Sequence, residues 1–223
     1  MPCLLYCVTC ADAEVIANTD GVCDQPVQSV DFAGLRVCWS EIADPDTALA
    51  DGPARKNAEL KFRQVLRQLV THFTPITLPF PVVLADIEGV EKYLTEERAF
   101  YEDALTRLAD TVQYEMIASW TADEQADLAT PVSGREYLKR RQEAEERITA
   151  IDSKLKTVTA GLVREWRARQ DRRKHHWFAL VARQDRERFI AALRSAGPSE
   201  GVRLRLSGPW PPGEFMKTLS ESQ

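Results

Sequence analysis

No stretch of this 223-residue chain is apolar over the about 18 residues that a membrane-crossing helix requires, so no membrane-spanning helix is expected. Its apolar start has no basic n-region and no small-residue cleavage site, so a secretory leader is not expected. Cysteine is scarce and odd in number, five in all and every one within the first 38 residues. That usage suits reduced thiols in a cytoplasmic protein and not a disulfide framework. There are only three histidines and ten glycines. No glycine-rich phosphate loop is present, and nucleophile, base and oxyanion donors do not converge in any motif, so neither a catalytic centre nor a cofactor site is expected. Charge of neither sign dominates: a formal net charge of −5 gives no general attraction to nucleic acid or to anionic lipid.

What is present describes an α+β protein. Cys3 to Cys10 is apolar and rich in β-formers and reads as a buried first strand. Val27–Val30 and Leu35–Trp39 form a hairpin around Gly34, and the acidic stretch 44–51 reads as a mobile loop. From Ala54 the pattern turns helical, with Leu60, Val65, Leu66, Leu69, Val70 and Phe73 as its apolar stripe and Pro75 as its stop. A strand over 76–84 and one long amphipathic helix over 87–108 complete an N-terminal α+β domain, 1–110.

The second half, 111–223, opens on a strand at 112–120. Ser133 with Glu136 forms a capping box, after which Ala144, Ile148, Ile151, Leu155, Val158 and Leu162 recur as a short coiled-coil-like seam. This predicts a long helix near 134–174, with Gly161 as its point of bending. A strand from Trp177, a helix from Asp185 to Ser195 and a strand over 202–206 follow. The order β-α-β-α-β reads as a modified ferredoxin-like domain that lacks or modifies one strand and whose first crossover is enlarged into a helical excursion.

Two segments carry a pull towards other chemistry. Cys3, Cys7 and Cys10 have the C-x3-C-x2-C spacing that holds an iron-sulfur cluster in radical enzymes. A strand, however, sends successive side chains to opposite faces, and Thr9 stands where that pattern has an aromatic residue. Residues 135–174 hold 13 Lys/Arg against 7 Asp/Glu. The basic run 164–177, with Arg167, Arg169, Arg172 and Arg173 beside Trp166 and Trp177, matches the ingredients of nucleic-acid binding. The plainer reading places those cations at a helix C-terminus, and nucleic acid is not the expected partner. His175-His176 lacks a third ligand at metal spacing, so no metal is expected.

The last residues, Leu206 to Phe215, read LSGPWPPGEF. Prolines fix φ and remove donors, so this is a stiff extended segment that delivers Trp210 at a fixed place. Gly208-Pro209-Trp210-Pro211-Pro212 followed by Phe215 resembles the C-terminal signature of the gas vesicle GvpL/GvpF family. Ser133-Gly134, Tyr137-Leu138 and Arg141 are similar to that family's SG-x-x-YL-x-x-R segment, with GLRVCWSEI, a loose match, before it and FALVARQDRERF after it in the family's order. Pro81-Val82-Val83-Leu84 replaces the family's Arg-Phe-Gly-Thr-like segment, and Gly213-Glu214 stands before Phe215 where a tyrosine is usual. The resemblance implies a non-enzymatic accessory protein of gas vesicle formation, which acts by contact with the small shell protein or with other accessory proteins. On this view Trp210 locks the ends of the C-terminal domain together.

Overall fold

The computed structural model describes residues 1–13, 19–121, 133–171, 174–197 and 201–216. Helices and two four-stranded antiparallel sheets make up an α+β protein. By the density of contacts the chain divides into Met1–Val112 with the segment from Pro209 onward, and Gln113–Gly208.

The sheet of the first unit has the order β2-β3-β1-β4, built from β1 (Cys3–Cys10), β2 (Gln28–Phe32), β3 (Leu35–Glu41) and β4 (Ile76–Leu84). β1 is central and buried almost throughout, as its unbroken apolar run requires. A β-bulge between Leu5 and Cys7 shifts the register from Cys3↔Glu41 to Cys7↔Cys38. The bulge brings Cys7 into the same core as Leu4 and Tyr6, against Phe62, Val65 and Leu69 of α2 (Pro53–Leu69). Tyr6 stacks on Phe62 with ring centres 5.2 Å apart. Its hydroxyl accepts from Val22 N at 2.8 Å and bonds Ser40 Oγ at 2.8 Å, so the one polar atom of that buried ring is satisfied.

Three local expectations change here. The acidic stretch is not wholly loop: Asp44 caps a single helical turn, α1 (Pro45–Ala48), by accepting from Thr47 N at 3.1 Å. Leu60 is exposed, because Ala58, Phe62, Val65, Leu66 and Leu69 define the inward face and Leu60 lies about 200° from Ala58. The long helix over 87–108 is two, α3 (Ile87–Glu96) and α4 (Arg98–Leu108), broken at Glu97, which has φ −95° and ψ 7°. Tyr93 and Tyr101, one from each helix, join their hydroxyls at 2.8 Å across the break.

The second unit contains most of β5 (Thr111–Trp120), α5 (Gly134–Val158), β6 (Val163–Asp171), β7 (Lys174–Ala182), α6 (Arg186–Ser195) and most of β8 (Val202–Trp210). The spatial order is β6-β7-β5-β8, so β-α-β-β-α-β is complete and the ferredoxin-like arrangement lacks no strand. The strand missing from the sequence reading is β6. The helix stops at Val158, where the Thr159 hydroxyl turns back to the Leu155 carbonyl at 2.7 Å, and Gly161 at φ 76° turns the chain out of helical geometry. From there Glu165-Trp166-Arg167-Ala168-Arg169 alternates with period two and pairs antiparallel with β7, Trp166 facing Ala179 and Arg167 facing Phe178. Ile151 and Leu155 are the buried members of the expected seam. Trp177 donates its indole N–H to Asp152 Oδ1 at 2.9 Å, which ties β7 to α5, and Tyr114 of β5 packs on Phe189 of α6 at 5.0 Å.

The tail departs from the expected C-terminal domain of 111–223. Gln113–Gly208 form the second unit, whereas Pro209 onward groups with the first. Trp210 therefore belongs to the first unit, where Arg67 of α2 lies over its ring.

Candidate interaction surfaces

The two signature segments occupy different settings. Gly208 ends the regular part of β8 with φ 132°, a region that disfavours side chains. A Cβ there would lie 2.9 Å from both the Gln113 carbonyl oxygen and Tyr114 Cδ1. Glycine is thus required twice over, for conformation and for close approach to β5. Being on a sheet edge, β8 tolerates Pro209 near its end.

Beyond it the chain packs onto the first unit. The Trp210 ring is half-buried beneath the Arg67 guanidinium, 5.3 Å from its centre. Pro212 is buried, and its carbonyl accepts from Phe215 N at 3.0 Å. The Pro211 carbonyl accepts from Gly213 N at 2.8 Å, which shapes the turn into α7 (Gly213–Met216). Phe215 is 0 % exposed, and Arg107 of α4 donates to its carbonyl oxygen. Where the family pattern places a tyrosine, this chain uses Gly213-Glu214 to open a helical turn that buries Phe215 instead. The other departure, Pro81-Val82-Val83-Leu84, lies in β4, where Val82 to Leu84 pair with Leu5 to Cys3.

The second signature segment opens α5. Ser133 Oγ accepts from Glu136 N at 3.4 Å as the capping residue, and Gly134 begins the helix. Tyr137 and Leu138 are 52 % and 64 % exposed. Arg141 pairs with Glu145 at 3.2 Å, Arg140 with Glu136 at 2.9 Å and Lys139 with Glu143 at 3.8 Å. These i,i+4 pairs support a helix half that makes little contact with a core. It presents two large apolar side chains at its start, Tyr137 and Leu138.

The basic run lies on the paired strands β6 and β7, not at the end of a helix, and Arg167 and Arg169 are both engaged. Arg167 bonds Glu165 at 2.9 Å, and Arg169 lies 5.1 Å from the centre of the Phe178 ring, which is itself buried. No stacking platform faces solvent at that ring. Arg172 and Arg173 lie outside the described residues. His176 Nδ1 is 2.8 Å from Glu115 Oε1, while His175 stacks on Trp177, and burial pushes the His175 pKa down with the neighbouring His176 acting in the same direction. The three cysteines of the cluster spacing are dispersed: Cys3 and Cys7 are buried in β1 and Cys10 is exposed at its end. Among the described residues no three His, Cys, Asp or Glu side chains are grouped to hold a metal ion, and no helix is long and apolar enough to cross a membrane.

The family described as "Gas vesicle synthesis protein GvpL/GvpF" matches residues 2–217. The chain belongs to this GvpL/GvpF family. It is 24 % identical to gas vesicle protein L1 of Halobacterium salinarum, a similarity that covers 97 % of this chain and 91 % of that one. Crystal structures of GvpF from Microcystis aeruginosa and from an Anabaena species share the fold, with TM-scores of 0.75 and 0.74. The first is 15 % identical over 97 % of this chain and 99 % of its own, the second 17 % over 97 % and 96 %. Both units of the chain are therefore part of the GvpL/GvpF pattern.

The missed features have identifiable signals. Arg67 and Arg107, which hold the tail, had none in the sequence beyond being cations on helices. The exposure of Tyr137 and Leu138 was foreshadowed by the absence of apolar partners at three- and four-residue spacing before Ala144.

Proposed function

We propose that this GvpL/GvpF-family chain is a non-catalytic assembly factor in gas vesicle formation, associated with the vesicle in the cytoplasm and acting through contacts with the shell protein or other accessory proteins. The observation that carries this reading is the family match from residue 2 to residue 217.

The residue-level reading is that the two signature segments divide the work. Gly208 lets β8 approach β5 within the second unit, Pro209, Trp210, Pro211, Pro212 and Phe215 stabilise the first unit, and Ser133, Gly134, Tyr137, Leu138 and Arg141 form the contact surface. Burial supports the assignment to the first unit and exposure that to the contact surface. Tyrosine is enriched at the energetic centres of protein contacts, and the capped helix presents both side chains on backbone that is already ordered.

The test is recovery of partners on the tagged chain from cells that are making gas vesicles. Shell or accessory proteins are expected with the wild type and are expected to be lost with Tyr137→Ser/Leu138→Ser at unchanged melting temperature. A well-folded wild-type chain that recovers none of them refutes the assembly reading; retention by the double variant refutes the assignment of the surface.

A further inference from the structure

Each of the two sheets has two edges, and they differ in how they are closed. In the first sheet, β4 carries Pro79 and Pro81, which remove backbone donors, and β2 carries Asp31, already neutralised by the Arg36 guanidinium. In the second, β6 carries Arg167 and Arg169, both engaged as described. β8 is different. It ends the order β6-β7-β5-β8, and Arg203, Leu204, Arg205 and Leu206 are all exposed. Neither Arg203 nor Arg205 makes a side-chain hydrogen bond or ion pair among the described residues.

Strand geometry separates these four side chains. Arg203 and Arg205 share a face with Ser207, whose hydroxyl donates to Glu115 Oε2 at 3.4 Å. Leu204 and Leu206, 38 % and 36 % exposed, share the other. An edge with no further strand beside it among the described residues, two cations on one face and two exposed leucines on the other has a definite complement.

We infer that β8 is a strand-addition site for an extended segment of a different protein in which acidic residues alternate with apolar ones. The segment's backbone pairs with the outer edge of β8, its carboxylates meet Arg203 and Arg205, and its apolar side chains cover Leu204 and Leu206. The same arginines select against a second copy of this chain. Two β8 strands laid antiparallel place cation against cation, which is destabilising without a counter-charge. The site lies apart from α5 and goes beyond the assembly reading, since it is defined by purified protein alone.

The probe is a fluorescent peptide of about eight residues alternating Glu and Val, with a Lys-Val peptide of equal length as its counterpart. A third peptide has the Glu-Val sequence with alternate backbone nitrogens methylated. With the full chain, the Glu-Val peptide is expected to bind, to slow amide exchange in residues 202–206, and to weaken as salt rises. Methylation is expected to reduce binding at least tenfold, because it removes the ladder donors while leaving the charges. Arg203→Glu/Arg205→Glu is expected to lose the Glu-Val peptide and gain the Lys-Val peptide. Arg203→Gln/Arg205→Gln, a milder change, is expected to lose at least tenfold for the Glu-Val peptide, and the far-ultraviolet circular dichroism of each variant checks its fold. Absence of protection at β8 with about 1 mM peptide, corresponding to about 4 kcal/mol of recognition, overturns the proposal. So do equal binding of the methylated peptide and unchanged preference in the charge-reversed variant. Self-association of the wild type that protects the same amides overturns the choice of partner.

Discussion

The guanidinium carbon of Arg67, on α2, lies 5.3 Å from the centre of the Trp210 ring, which joins the tail to the first unit across more than half of the chain. A stacked cation of this kind contributes about 0.5–2 kcal/mol, and burial of the indole adds more. Trp210→Ala is therefore expected to destabilise the protein by about 2–3 kcal/mol and to lower the urea midpoint. Trp210→Phe should lose less, and Arg67→Ala about 1 kcal/mol. A double-mutant cycle is expected to give a coupling of about 0.5–1 kcal/mol between the two positions, and a coupling of zero refutes the contact.

Gly208→Ala tests the approach of β8 to β5. The new methyl would meet the Gln113 carbonyl and the Tyr114 ring at 2.9 Å, in a backbone conformation with φ 132°. Strain and overlap together should cost about 2–3 kcal/mol, larger than most single substitutions. Faster amide exchange along the inner edge of β8 is the expected sign that the strand has been pushed outward, and wild-type exchange would show that the backbone absorbs the change elsewhere.

How far this was legible in the sequence depends on the range of the signal. The strand at 3–10, the hairpin through Gly34, the Ser133 cap and the helix at 186–195 rest on local patterns, and the sequence reading locates each of them. β6 is misread because the apolar seam of α5 continues to Leu162 in a stretch rich in charge, while the period-two alternation of Trp166 and Ala168 is only a few residues long. The bulge at Tyr6 has no local signature, so the parity of Cys3 and Cys7 is not available from spacing alone. The tail is legible as rigid. Its destination is not, because Arg67 and Arg107 are brought to it only by the completed fold.

The cysteines provide a chemical check on that first strand. Cys10 and Cys23 are exposed, whereas Cys3, Cys7 and Cys38 are buried. Burial pushes the Cys7 thiol well up, with Cys38 beside it acting in the same direction, so its thiolate form is suppressed. In native protein a disulfide reagent is expected to label Cys10 and Cys23 promptly and the other three only on unfolding. Cys38→Ala should destabilise the core without changing the number of fast-reacting thiols. Rapid labelling of Cys7 in folded protein would contradict the packing of β1 on α2.

His175 sets a pH dependence whose direction is fixed by its surroundings. Burial lowers its pKa, His176 lowers it further and Glu145 opposes them, with the net shift downward. The folded chain therefore releases the proton more readily than the unfolded chain does. Above the ordinary histidine range both states are neutral at this position and the group is without effect. As pH falls through that range the unfolded state takes up the proton first, so stability declines. Urea unfolding at pH 7.5 and at pH 5.5 is expected to show the lower midpoint at the acidic value, and His175→Asn should reduce the difference. The carboxylate Asp31 contributes in the same direction but lower down, because its bond to Arg36 depresses its pKa and the benefit is lost only as pH falls through the carboxylate range. Asp31 is largely exposed, so its share is small. If His175→Asn leaves the interval between pH 7.5 and 5.5 unchanged while Asp31→Asn removes it, the assignment of that slope to the α5–β7 contact fails.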